Sequence, residues 1–214
     1  MSVVNELLPA LRQDRSLVLI RAEHIDDPAA LCGALVAGGI HVVEFAFTTP
    51  GVAGILRTAI ESGTGAFVGA GTVTNEAQAE EALAAGAAFL VTPGVHEGVA
   101  AVANAAGMPV IMGALTPTEV MRALDAGAAA VKIFPASSVG PGHVRQLHGP
   151  FPGVPLIASG GITADTAGAW VAAGAIAATA GSGVVSADAI ATADWVGISS
   201  RARAFRNAAM TQDG

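Results

Sequence analysis

The chain has 214 residues, 52% of them hydrophobic and 13% charged, with a formal net charge of −7. That length buries one sizeable core, so we expect a single domain over residues 1–214. The acidic balance and the lack of an arginine cluster argue against nucleic-acid binding, and no run approaches the roughly 20 unbroken apolar residues of a membrane span.

The first segment, MSVVNELLPALRQDRS, reads as a short helix with acids and an early proline. It lacks the basic leader and apolar stretch of a signal peptide, so a cytoplasmic location is the default expectation. LVLIR (17–21) then reads as a strand and DPAALCGALVAGG (27–39) as a helix. The helix carries Cys32, the one cysteine, which we read as a packed thiol because nothing around it suggests activation. Further strands are predicted at HVVEFAF (41–47), AFVGA (66–70), AAFLV (87–91), PVIMG (109–113), AAAVKIF (128–134), VPLIA (154–158) and AIAATA (175–180). Between them lie helix-like stretches at 75–86, 116–127 and 163–174, each opening near Ser, Thr, Asn or Asp and closing at glycine. ADWVGISSRARAFRNAAM supplies a last helix with its arginines on the exposed side, followed by a frayed tail.

The strands are almost continuously apolar, which fits parallel strands covered on both faces. The "Ala-Gly, then a strand" phrase recurs, beginning with Ala37-Gly38, and a left-handed glycine there turns the chain into the next strand. Eight such strands with intervening helices close most economically into a (β/α)8 barrel. An open doubly wound sheet is the alternative, yet Gly69-Ala70-Gly71-Thr72 lacks the full glycine spacing of a dinucleotide site.

Of the ten basic residues, nine are arginines and one, Lys132, is a lysine set in an apolar strand. Near the C-terminal end of a barrel strand a lysine faces the active-site mouth, where lost hydration disfavours the ammonium form and frees the amine as a nucleophile. A structural lysine with a packed stem is the competing reading. Glu44 interrupts another apolar strand, where an unpaired carboxylate is costly. It is either an ion-pair partner of Lys132 or Arg21, or an acid/base for imine chemistry.

Ser159-Gly160-Gly161 and Gly181-Ser182-Gly183 follow the seventh and eighth strands, where barrel loops commonly hold phosphate on backbone N–H groups. Arg21 is placed to meet a substrate carboxylate or to neutralise Glu44. Thr72 offers a hydroxyl, Pro93 shapes the rim, and Phe134 walls the lysine. Thr48 and Thr49 suit substrate contact or helix capping. The five histidines show no metal-ligand spacing, and His96 reads as a helix start.

The ordered set ALVAGGI with VVEF, GAGTV, VTPG, VKIFPA, SGGI and GSG resembles the KDPG/KHG aldolases over nearly the whole chain. Those enzymes act on 2-keto-3-deoxy-6-phosphogluconate and 4-hydroxy-2-oxoglutarate. The resemblance implies a class I, metal-independent (β/α)8 lyase without a cofactor, commonly a homotrimer. It also implies that Lys132 forms the Schiff base, Glu44 is the acid/base, Thr72 helps hold the pyruvyl end, Pro93 is the family's TPG proline, and Gly160, Gly161 and Ser182 bind phosphate. EFAFTT departs from the family's usual EVTLRT: Thr48 stands where an arginine contacts the substrate carboxylate, and Arg21 is a candidate replacement. KIFPASSVGP is also similar to the 2-keto-3-deoxy-6-phosphogalactonate aldolases.

The expected substrate is therefore a small phosphorylated 2-keto-3-deoxy sugar acid. It would be cleaved to pyruvate and D-glyceraldehyde 3-phosphate, with the galactonate isomer as the alternative. A sugar-phosphate isomerase or epimerase and a non-enzymatic phosphometabolite-binding protein remain the readings from other classes.

Overall fold

A computed structural model describes residues 4–211. The predicted rhythm of strand and helix is realised as α1 (Val4–Asp14), β1 (Ser16–Ile20), α2 (Pro28–Ala37), β2 (Val42–Ala46), α3 (Val52–Glu61), β3 (Phe67–Gly71), α4 (Glu76–Ala84) and β4 (Leu90–Val91). It continues through α5 (Glu97–Ala105), β5 (Val110–Ala114), α6 (Pro117–Asp125), β6 (Ala130–Ile133), α7 (Gly142–His148), β7 (Leu156–Ala158), α8 (Ala164–Ala172) and β8 (Ala177–Ala180). Two further helices, α9 (Ala187–Ala191) and α10 (Trp195–Met210), close the described chain. The strands run in sequence order around a closed ring, every neighbour parallel, with β8 returning to β1. This is the (β/α)8 barrel that the sequence predicts.

Strand residues alternate between two buried clusters. One lies between the strands and the surrounding helices. The other fills the barrel's lower interior, where Leu17, Val42, Phe89 and Ile111 meet Leu7 and Leu11 of α1. These barrel residues sit at the starts of their strands, so α1 plugs the N-terminal end of the barrel. The opposite end, where all eight strands finish, is left for chemistry.

The helix starts use the residues expected of them. The Asp27 carboxylate accepts from Ala30 N–H at 2.8 Å ahead of α2, and Asn75 accepts from Gln78 N–H at 3.0 Å ahead of α4. Four local expectations need correction. After α2 it is Gly39, not Gly38, that turns left-handed, with φ of 87° against −80°. The fourth strand is regular only over Leu90–Val91: Ala87 N–H still closes the preceding helix on Ala82, and the bonds to β3 begin with Ala88 N–H on Val68 O at 2.8 Å. The seventh begins at Leu156 rather than Val154, since Pro155 has no N–H to give a ladder. The arginines of α10 are not all free on the exposed side: Arg203 is exposed, whereas the half-buried Arg201 and Arg206 reach the carboxylates of Asp194, at the surface, and Asp14, in the interior. The predicted frayed tail lies largely outside the described residues.

Candidate active site

β2 and β6 stand four places apart in the eight-stranded ring, so inward side chains on them point at each other across it. Glu44 is the central residue of β2, deeper than a strand-end position, and Lys132 is the third of the four residues of β6. Their side chains meet inside the barrel, with Lys132 Nζ 3.7 Å from Glu44 Oε1 and side-chain exposures of 5% and 0%. Neither Glu44 oxygen accepts a hydrogen bond from the described residues. Burial pushes its carboxyl above the ordinary range, while the charges of Lys132 and, less strongly, Arg21 pull the other way. The result is a carboxyl disposed to hold a proton, next to an amine.

Space for this pair comes from glycine. Gly69 lies beside Glu44 in the β2–β3 register, and a Cβ on Gly71 would overlap the Glu44 side chain. Gly113 lies beside Lys132 in the β5–β6 register, and its missing side chain lets the Pro93 carbonyl come close. The Phe134 ring, 38% exposed, has its centroid 5.4 Å from Lys132 Nζ and screens the amine from the open mouth.

Because the strands are parallel, the residues after each one gather on one rim. Arg21, after β1, is exposed, and its Nη2 donates to Thr72 Oγ1 after β3 at 3.4 Å. Arg21 is therefore hydrogen-bonded at the rim, and the ion-pair partner of Glu44 is Lys132. Thr72 holds a positive φ of 55°, a conformation uncommon for a threonine. Thr48 is exposed in the turn after β2. Thr49 is buried, and its hydroxyl accepts from Ala22 N–H at 3.4 Å, tying the β1 and β2 ends together. Neither threonine caps α3, whose N-cap is Gly51. Pro93 is exposed at the rim.

The two glycine loops follow β7 and β8. Gly160 and Gly161 take φ of 98° and 75°, and Phe134 and Ser137 pack where their side chains would be. After β8 the chain makes a turn in which Val184 and Val185 N–H both donate to Gly181 O at 3.0 Å, leaving Ser182 at the exposed tip. Among the described residues no acceptor takes up the N–H groups of Gly161, Ser182 or Gly183. These donors stand on adjacent loops, one of which leads into α8.

An alignment against protein-family models matches residues 8–200 to the family described as KDPG and KHG aldolase. The chain belongs to the KDPG and KHG aldolase family. It is 34% identical over 167 residues to the 2-dehydro-3-deoxy-phosphogluconate aldolase of Treponema pallidum, covering 78% of this chain and 80% of that one. It is 33% identical over 159 residues to the 2-dehydro-3-deoxy-6-phosphogalactonate aldolase of Escherichia coli, covering 73% and 78%. Among solved structures, the KDPG aldolase of Legionella pneumophila, with pyruvate captured as a covalent carbinolamine, superposes with a TM-score of 0.81. The identity there is 28%, covering 92% of this chain and 97% of that one. The reaction of the chain is thus of the family's class I, Schiff-base aldolase type.

Other predicted positions take ordinary structural parts. His96 caps α5, its Nδ1 accepting from Val99 N–H at 3.2 Å. Cys32 is fully buried, and burial pushes its thiol up to about 12. Among the described residues there is no group of three or more His, Cys, Asp or Glu side chains able to hold a metal, and no helix is long and apolar enough to cross a membrane. Sequence reasoning passed over Gly71, the space-maker for Glu44. The available signal was a GxG on the strand next to the one carrying the acid. It also passed over Arg201 and His143, whose partners Val184 and Leu115 are brought close by tertiary folding, and Glu119, whose capping partners are local.

Proposed function

We propose that Lys132 is the Schiff-base lysine and Glu44 its proton shuttle. Their substrate on this reading is a phosphorylated 2-keto-3-deoxy sugar acid, 2-keto-3-deoxy-6-phosphogluconate first, cleaved to pyruvate and D-glyceraldehyde 3-phosphate. The observation that carries this reading is the enclosed amine–carboxyl pair across the barrel. The Lys132 amine adds to the C2 ketone to give a carbinolamine, and Glu44 protonates the leaving hydroxyl as water departs. The iminium then accepts the electron pair of the C3–C4 bond as the C4 hydroxyl loses its proton, releasing the aldehyde and leaving an enamine. Protonation at C3 and addition of water return pyruvate and the free amine.

Arg21, Thr72 and Thr48 line the rim where the keto-acid carboxylate enters, with Pro93 and Phe134 as walls. Gly160, Gly161 and Ser182 meet the phosphate, whose remote binding energy orients the scissile bond over the amine. The carbinolamine captured in the Legionella relative supports the covalent step. Thr48 in place of the usual arginine and the likeness to the Escherichia coli phosphogalactonate enzyme favour the galactonate isomer as the second reading. A homotrimer is the assembly the family resemblance implies.

Borohydride reduction with pyruvate is expected to fix the three-carbon unit on Lys132, and Lys132→Ala to abolish the adduct while the chain stays folded. Turnover of sugar phosphates without an adduct would instead indicate isomerase chemistry. Kinetics on the gluconate and galactonate isomers side by side decide the stereochemistry, and a strong galactonate preference overturns the first choice.

A further inference from the structure

The turn after β8 is braced from behind by a residue on another element. Arg201, on α10, donates from Nε to the Val184 carbonyl at 3.0 Å and from Nη1 to Asp194 Oδ2 at 3.2 Å. Asp194 is itself fixed, because its Oδ1 caps α10 by accepting from Gly197 N–H at 2.9 Å and its own N–H donates to Ala189 O at 2.9 Å. The Val184 N–H closes the turn on Gly181 O. One guanidinium therefore holds the carbonyl of the Val184–Val185 peptide unit, whose N–H also closes the turn on Gly181 O.

Beneath this turn lies a cavity of about 250 Å³, lined by Gly181, Gly183, Thr163, Phe205 and the Arg201 side chain. Val184 and Val185 are buried in the core at the end of the turn, and the Arg201 bond adds to that anchorage. The Arg201 Nη2 is buried without a hydrogen-bond partner among the described residues, so the guanidinium is held by the two contacts above rather than spread over many.

We propose that Arg201, held by Asp194, is a positioning residue for phosphate: it keeps the Gly181–Val185 turn in the shape that presents its N–H groups, without touching the substrate. The inference rests on reading the two glycine loops as the phosphate site. It predicts that loss of the brace weakens phosphorylated ligands selectively, since Lys132 and Glu44 stand on other strands. A charge-assisted hydrogen bond is among the stronger ones, and loosening the turn it holds weakens a ligand by about tenfold.

The test compares wild type with Arg201→Met, Arg201→Lys and Asp194→Asn. The measurements are kinetics on a phosphorylated 2-keto-3-deoxy acid and on unphosphorylated 4-hydroxy-2-oxoglutarate, with competitive inhibition by inorganic phosphate. Arg201→Met is expected to raise KM for the phosphorylated substrate and Ki for phosphate by about tenfold, with kcat and the unphosphorylated reaction unchanged. Arg201→Lys should recover part of the loss. Asp194→Asn, which retains a capping oxygen, should show a smaller shift of the same kind. Gly161→Ala tests the phosphate reading independently: phosphate inhibition in wild type that Gly161→Ala weakens establishes it. With that established, an unchanged Ki in Arg201→Met, or equal losses on both substrates, overturns the role of Arg201. No phosphate inhibition in wild type, and none altered by Gly161→Ala, removes the phosphate site and this inference with it.

Discussion

At the scale of single residues, the decisive fact about Glu44 is the cost of being charged where it lies. Burial raises its carboxyl above the ordinary value of 4.5, outweighing the opposing pull of Lys132 and Arg21. The folded chain then binds this proton more tightly than the unfolded chain. Between 4.5 and the raised value the native state carries more protons, so unfolding free energy falls as pH rises; below 4.5 the contribution is fully present. Glu44→Gln keeps the shape and removes the proton equilibrium. Its melting temperature relative to wild type is expected to climb as pH rises above 4.5 and through the raised value. Its turnover should drop by about 10²–10⁴-fold, the usual share of a general acid/base. A melting difference independent of pH, or unchanged turnover, contradicts the assignment.

Elements are set by short-range chemistry that the sequence carries openly. Asn75, Thr116 and Thr163 head helices as their residue types require, and the strands are short runs apolar on both faces. What the sequence hides is how the connections are stiffened. Ahead of α6, Glu119 Oε2 accepts from Leu115 N–H at 2.9 Å, Thr116 N–H at 2.7 Å and the Thr116 hydroxyl at 2.8 Å. These bonds hold the Glu119 carboxyl below its usual range. The return bond from Glu119 N–H to Thr116 Oγ1 is longer, 3.4 Å, so the glutamate supplies the stronger half of this capping box. The Leu115 carbonyl is met in turn by His143 Nε2 at 2.6 Å, from 28 residues further along the chain. A pattern search can find the box but not the histidine. Glu119→Ala is expected to cost about 1 kcal/mol, a melting shift of about 2–4 °C for a chain of this size. Thr116→Ala should cost less. Equal costs, or a larger loss from the threonine, would reverse this ranking.

For the whole molecule, closure of the ring turns separate sequence signals into one site. Lys132 and Glu44 are 88 positions apart, and for each alone a packed structural charge is a competing reading. Only when the eight strands close do β2 and β6 face each other and bring the two side chains within 3.7 Å. That is why the strand count was legible from apolar runs, whereas the Gly71 clearance and the Arg201 tether were not: both depend on which elements become neighbours. Closure also separates labour between the barrel's ends. α1 plugs the starts of the strands, with Leu7 and Leu11 fully buried against Leu17, Val42 and Phe89. The amine and carboxyl lie toward the strands' other ends, where barrel enzymes keep their chemistry. Leu11→Ala removes packing from the plugged end alone and should destabilise the fold by about 2–5 kcal/mol. At temperatures where the variant remains folded, kcat and borohydride trapping by pyruvate should match wild type. If Leu11→Ala instead lowers kcat in the fully folded protein, the plug and the site are mechanically coupled, and the division between the two ends does not hold.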